Sequence, residues 1–155
     1  MLDERTIRTI STNRKAYHEF EVVQRFEAGV ALTGTEVKSI RAGHVNFGDA
    51  YAMFPSRSNN EFYLVGLHIK AYDYGNRENH DPVRKRKLLL SKAELVRIRA
   101  GIEEKGLTVV PLQIYFSGPY IKVELGLVRG KKLYDKRAAT KEREQRRAIE
   151  RRSDD

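Results

Sequence analysis

Four consecutive cations, Arg84-Lys85-Arg86-Lys87, stand directly before the apolar run Leu88-Leu89-Leu90. Guanidinium and ammonium groups in a row hold phosphate oxygens, by Coulomb attraction and by charge-assisted hydrogen bonds. The adjacent leucines would fix that ridge to the body of the fold. The competing reading is a solvated charge run with no partner. A second cationic block begins after Val128, and from Lys131 to Arg152 the only large apolar side chains are Leu133, Tyr134 and Ile149. Such a segment cannot bury enough surface to offset its ordering entropy, so alone it is expected to be disordered. Beyond Ala138 it is nonetheless rich in Ala, Glu, Arg and Lys and lacks Gly and Pro. These are helix formers, Glu142 precedes Arg146 by four, and Arg151 and Arg152 lie C-terminally as the helix dipole prefers. The block is a helix in waiting for a polyanionic surface. Tyr134 has no core to join there, and a base is the partner its ring can stack on.

Catalytic chemistry finds no comparable constellation. His18, His44, His68 and His80 are scattered without metal-ligand spacing, and His68 reads as a hydrogen-bonded residue of an apolar strand. The pairs Glu103-Glu104 and Glu19/Glu21 are of the kind that solvated faces carry. There is no cysteine, no Gly-rich phosphate loop and no nucleophile elbow. No enzyme activity, cofactor or metal is expected.

The charge balance agrees with a polyanionic partner. The 155 residues carry 30 Lys plus Arg against 21 acids, a formal net charge of +9. Residues 129–155 hold 11 basic and 6 acidic side chains, more than half of that excess. No amphipathic stretch pairs a wide apolar face with basic residues, and no run of 18 apolar residues occurs, so no membrane association is expected. The first 20 residues are mixed polar and charged, unlike a secretory signal. Absence of cysteine fits a reducing cytosol.

The elements that must position these charges read as follows. Residues 1–12 show no periodicity and are expected to form a flexible arm. From His18, the residues Phe20, Val22, Phe26, Ala28, Val30 and Leu32 share one parity, predicting a long strand with a bend near Gly29. Thr33-Gly34-Thr35-Glu36 and Ser91-Lys92-Ala93-Glu94 are capping boxes that open helices ending at Gly43 and Gly106. Strands are predicted over 50–54, 62–69, 108–116 and 120–128, with a polar loop over 72–82. The order predicts a mainly β fold with helices, an OB-like antiparallel β-barrel of five to six strands. Two or three short helices and a basic C-terminal tail complete it. A short barrel of other topology would fit the same order.

Five blocks carry a family resemblance. They are Asn13–Phe20, Phe26–Gly29, Gly34–Gly43, Asp81–Leu90 and the run Gly130-Lys131-Lys132-Leu133-Tyr134-Asp135-Lys136-Arg137. Together they resemble the bacterial tmRNA-binding small protein B (SmpB) family from residue 13 nearly to the end. The resemblance implies an RNA-binding adaptor of trans-translation in the bacterial cytoplasm. Such an adaptor binds the tRNA-like domain of tmRNA, stands in for its missing anticodon arm, and delivers it to stalled ribosomes. Elongation factor Tu with GTP, bound to alanyl-tmRNA, is the implied companion.

Positions matching the family place Glu27, Leu89 and Lys122 on the surface that meets the tRNA-like domain. Arg14, Lys15, Arg84 and Arg86 are added to that surface from charge alone. The implied division is an arm at 1–12, a barrel at 13–129 and a tail at 130–155, disordered when free and helical on the ribosome. Gly130, Lys131, Lys132, Tyr134, Asp135, Lys136 and Arg137 correspond to the segment at the decoding centre, against small-subunit rRNA. The later tail corresponds to the part in the vacant mRNA channel. Tyr134 stands where other members can carry histidine, so stacking is retained and imidazole proton chemistry is not. Ser91 stands where some members have asparagine. Two other readings fit the charge pattern: a resident ribosomal-type protein, and an RNA-modifying or RNA-cleaving enzyme.

Overall fold

The computed structural model describes residues 6–75 and 79–131. The expectations for residues 132–155, including the tail helix, lie outside the described residues. The described chain runs β1 (Ile7–Thr12), α1 (Arg14–Glu19), β2 (Phe20–Val30), α2 (Gly34–Arg41), β3 (Val45–Asn46), β4 (Tyr51–Met53) and β5 (Phe62–Val65). It continues through β6 (His68–Ile69), β7 (Arg86–Leu89), α3 (Lys92–Lys105), β8 (Thr108–Ser117) and β9 (Tyr120–Gly130). Antiparallel pairing joins β8, β4, β5, β7, β2 and β9 in that order, and β9 returns to β8. The ring therefore closes into a six-stranded barrel, as the order of elements predicts. Strands β3 and β6 form a separate short pair.

Several features differ from the sequence reading, among them the strand β7, which was not predicted. Residues 7–12, expected as part of a flexible arm, form an edge strand on β8. Most of its side chains are exposed on both faces, so main-chain hydrogen bonds carry it and no apolar alternation announces it. Residues 14–19 are a helix, so the strand expected from His18 begins at Phe20. Asn13 caps it by accepting from the Ala16 N–H at 3.2 Å, while its own amide donates to Pro111 O at 2.8 Å. The predicted strand over 62–69 breaks at Gly66, whose φ of +82° turns the chain out of the ladder. His68 consequently lies exposed on β6 and is not a barrel residue. The buried histidine is His80, bonded to Ile69 O at 2.8 Å and Thr35 Oγ1 at 2.9 Å.

The long strand is irregular at 22–24, where pairing with β9 skips a residue, and not at Gly29. That bulge reverses which parity faces inward. Phe26 and Ala28 enter the main core, whereas Phe20 and Val22, of the same parity, pack outside against Ala16, Leu112 and Val128. A matching irregularity between Pro111 and Gln113 does the same for β8. Val110 and Leu112 lie under α1, and Ile114 lies in the main core. The barrel thus builds two apolar layers, one inside it and one beneath α1. Helix α3 ends on Gly106 in the left-handed region. Its Gly101 is needed for close approach, since a Cβ there would sit 2.7 Å from Leu127 Cδ2.

Both capping boxes form. The first does more than start α2, because its Glu36 is fully buried and meets Arg86, which is also fully buried. Glu36 accepts from Arg86 Nε, from Arg84 Nη2, from Arg84 Nε at 3.2 Å and from the Thr33 N–H at 2.9 Å. Arg86 spends its other donors on Leu67 O at 2.7 Å and Pro82 O at 3.1 Å. Burial alone would push the Glu36 carboxyl up. The Arg84, Thr33 and Arg86 donors outweigh it and hold the group below the ordinary 4.5.

A depressed carboxylate contributes stability above its unfolded pKa, and that contribution is lost as pH falls through the folded value. Glu36→Gln should therefore lose stability at neutral pH yet show a shallower decline below about pH 4.5 than the wild type. Arg86→Ala leaves a buried carboxylate with only part of its partners and should cost about 3–5 kcal/mol in urea unfolding. A loss under 1 kcal/mol would show the network to be dispensable.

Candidate RNA interface

Register brings three outward positions into one row across three strands. Gly29 of β2 lies opposite Leu89 of β7 on one side and Lys122 of β9 on the other. Gly29 has no side chain to lift its neighbours, and Leu89 lies over it: a Cβ at 29 would be 3.3 Å from Leu89 Cβ. Leu89 remains 53 % exposed, which is unusual for a large aliphatic side chain at the centre of a sheet face. Beside the row, Val30, Leu32, Val37, Pro119 and Ile121 help wall an open hollow of about 300 Å³. The arrangement is an apolar floor with one ammonium at its edge, suited to a base plus its phosphate.

Two residues along β2, Glu27 faces out in the same sense and pairs in register with Glu124. Tyr115 of β8, itself opposite Lys122, donates its hydroxyl to Glu27 Oε2. Burial, then the Glu27 and Glu124 carboxylates, push the Tyr115 phenol up, so the hydroxyl stays a donor. Glu124 is held in turn by Arg25 Nη1 at 2.6 Å and Gln113 Nε2 at 2.9 Å. Arg25 also donates to Tyr17 Oη at 2.9 Å. A fixed carboxylate on a basic protein cannot serve phosphate, but it can accept from base N–H groups or a ribose 2′-hydroxyl.

The SmpB protein family model matches residues 10–155. This chain belongs to the SmpB family. An SsrA-binding protein of Carboxydothermus hydrogenoformans is 52 % identical over 141 residues, covering 91 % of this chain and 93 % of that one. One from Deinococcus radiodurans is also 52 % identical, covering 88 % and 94 %. A chain in the solved structure described as "tmRNA-SmpB: a journey to the center of the bacterial ribosome" superposes with a TM-score of 0.66 at 52 % identity. It covers 79 % of this chain and 85 % of that one.

The residues that resemblance to the SmpB family singled out fare differently from those chosen by charge. Glu27, Leu89 and Lys122 share one outward face and are brought together. Arg86 is corrected: it is wholly buried with its donors engaged inside, so it cannot reach phosphate. Arg84 is partly exposed, but its guanidinium bonds Glu36, Ala31 O at 3.1 Å and Lys85 O at 3.2 Å. Half of the ridge of four cations is thus turned inward onto Glu36, and Lys85 and Lys87 stay exposed; within β7 this is the alternation of a strand.

Arg14 and Lys15 are exposed on α1, and Lys15 Nζ is 2.5 Å from Asp49 Oδ1. Neither side chain lines the hollow beside Gly29 and Lys122. Gly130 pairs with Phe20, and Lys131 is tied to α1 through its N–H to Glu19 O and its Nζ to Tyr17 O, each at 3.0 Å. Lys132, Tyr134, Asp135, Lys136 and Arg137 lie outside the described residues.

Tyr115, Arg25, Glu124 and Gln113 were missed in the sequence, since nothing local in it links Tyr115 to Glu27 or Arg25 to Glu124, 88 and 99 positions apart. A double-mutant cycle of Tyr115→Phe with Glu27→Gln should return a coupling of about 1 kcal/mol in urea unfolding, as for a partly exposed bond to a charged group. A coupling near zero would mean that the phenol does not hold the carboxylate in solution.

Proposed function

We infer that this chain is a tmRNA-binding adaptor of trans-translation. The observation that carries the reading is the row Leu89, Gly29 and Lys122, with Glu27 beside it. Register alone assembles these positions, and they include all three that the SmpB resemblance assigned to the tRNA-like domain. The names of the half-identical relatives and the tmRNA-SmpB structure support the same partner.

The mechanism follows from geometry. The apolar hollow takes an unstacked base, Lys122 neutralises the neighbouring phosphate, and Glu27 accepts from a base or ribose donor. Nothing in this requires bond making, and the chain acts by binding alone. The segment from Gly130, with Lys131, Lys132, Tyr134, Asp135, Lys136 and Arg137, enters the decoding centre of a stalled ribosome, and the later tail occupies the empty mRNA channel as a helix. Elongation factor Tu with GTP accompanies the alanyl-tmRNA, and the setting is the bacterial cytoplasm. Among the described residues no helix is long and apolar enough to cross a membrane.

Glu27→Ala and Lys122→Ala should each weaken binding of the tRNA-like domain at least fivefold. Stability should change by no more than about 0.5 kcal/mol for Lys122→Ala, whereas Glu27→Ala also removes the acceptor of the Tyr115 hydroxyl and should cost about 1 kcal/mol. A protein ending at Lys131 should keep full tmRNA affinity and lose peptide tagging on stalled ribosomes. Within the full chain, Tyr134→Ala should be severe and Tyr134→Phe mild. Binding of tmRNA no tighter than of bulk tRNA, in a nitrocellulose-retention assay at fixed salt, would overturn the reading of the body. Full tagging by the shortened protein would overturn that of the tail.

A further inference from the structure

Across the β8–β9 turn from the Lys122 hollow, a second concave surface carries chemistry that the row does not use. Arg8 of β1 lies directly opposite Phe116 of β8, so the two side chains leave the same face of the pair. Arg41, the last residue of α2, brings its guanidinium carbon to 5.9 Å from the centre of the Phe116 ring. With Thr6 and Gly118 these three wall an open hollow of about 470 Å³. Its floor is fixed, because the Gly118 N–H donates to Thr6 O at 3.1 Å and pins the start of β1 to the turn.

Arg8 and Arg41 line one hollow with like charge, and the fold does not offset this. Elsewhere arginines meet acids: Arg25 meets Glu124, Arg84 and Arg86 meet Glu36, Arg99 meets Glu103, and Arg129 meets Glu21. Among the described residues no carboxylate lies within ion-pair distance of Arg8 or Arg41. A bound anion would relieve the repulsion, and the ring beneath adds a stacking platform. Position names the kind of anion. Val37 and Arg41 are four apart on α2, on one helix face, and they line the Lys122 hollow and this one respectively. Pro119 and Gly118 of the same turn do likewise. A nucleic acid backbone leaving the first hollow would cross the turn into the second.

We propose that Arg8, Arg41 and Phe116 form a second RNA-contact site, which takes a phosphodiester between the two guanidiniums and a base or ribose against the ring. The proposal rests on reading the Lys122 row as an RNA surface. The source of the RNA is the tRNA-like domain itself or ribosomal RNA, and two arms of the test separate them.

The full-length double variant Arg8→Ala/Arg41→Ala is titrated with tmRNA across a salt series, and with stalled ribosomes at saturating tmRNA. Losing the contact to that one phosphodiester should weaken binding about tenfold and make the log-log salt slope shallower by about 0.7–0.9. The double lysine variant should restore the slope, and Phe116→Leu should weaken binding about fivefold at an unchanged slope. Arg8→Ala alone, on the exposed edge strand, should lower the slope by half as much and guards against a folding loss near α2. A change confined to the tmRNA arm assigns the site to tmRNA, and one confined to the ribosome arm assigns it to ribosomal RNA. Unchanged slopes in both arms, with wild-type melting, overturn the proposal. Should the wild type itself not prefer tmRNA, the functional reading fails, while the slopes still decide whether this site binds RNA.

Discussion

A carboxylate with no access to solvent is tolerable only when its charge is answered in place, and Glu36 is answered twice. Removing one ion from water costs several kcal/mol, so α2, β7 and the chain around Leu67 and Pro82 must keep the arrangement that supplies Arg84, Arg86 and their carbonyl acceptors. The same side chain also caps α2 through the Thr33 N–H. One residue therefore fixes where a helix begins, where β7 lies beside β2, and how the 66–86 connection is folded. The position of Leu89 on the outer face follows from it, because Leu89 is three residues beyond Arg86 on a strand whose parity the buried arginine sets.

The sequence was legible where one residue's neighbours carry the signal. Both capping boxes, the Gly106 helix stop and the β8–β9 pairing are local patterns with local causes, and all are present. It was illegible where the cause is a partner far along the chain. Strand β1 exists because β8 offers an edge. The burial of Arg86 depends on Glu36, fifty positions away, and composition ranks it with its exposed neighbour Lys87. The bulges at 22–24 and 111–113 conceal themselves for a different reason. They keep parity unbroken in the sequence while switching which layer the side chains enter. Of the candidate surface, Glu27, Leu89 and Lys122 came from family likeness, and periodicity could supply only that they face outward.

Net charge proves a blunt guide to where the protein would grip a polyanion. Much of the body's arginine is spent internally: Arg84 and Arg86 on Glu36, Arg25 on Glu124, and Arg99 on Asn60, main-chain carbonyls and Glu103. The candidate interface is correspondingly mixed, with carboxylate, ammonium, phenol and aliphatic groups side by side. Such a surface discriminates by hydrogen-bond geometry and shape, whereas a uniformly cationic one would hold any RNA.

Strand β9 has a mechanical consequence. Lys122 lies near its first residue and Gly130 is its last, eight residues on, which sets them about 26 Å apart. Both neighbours of β9 pair with it for most of its length, and Lys131 is bolted to α1 just past its end. The strand is therefore a strut of fixed length whose two ends move as one body. A tug on the chain beyond Lys131 would be transmitted to the Lys122 hollow as rotation of the whole barrel, with no hinge among the described residues between them to absorb it.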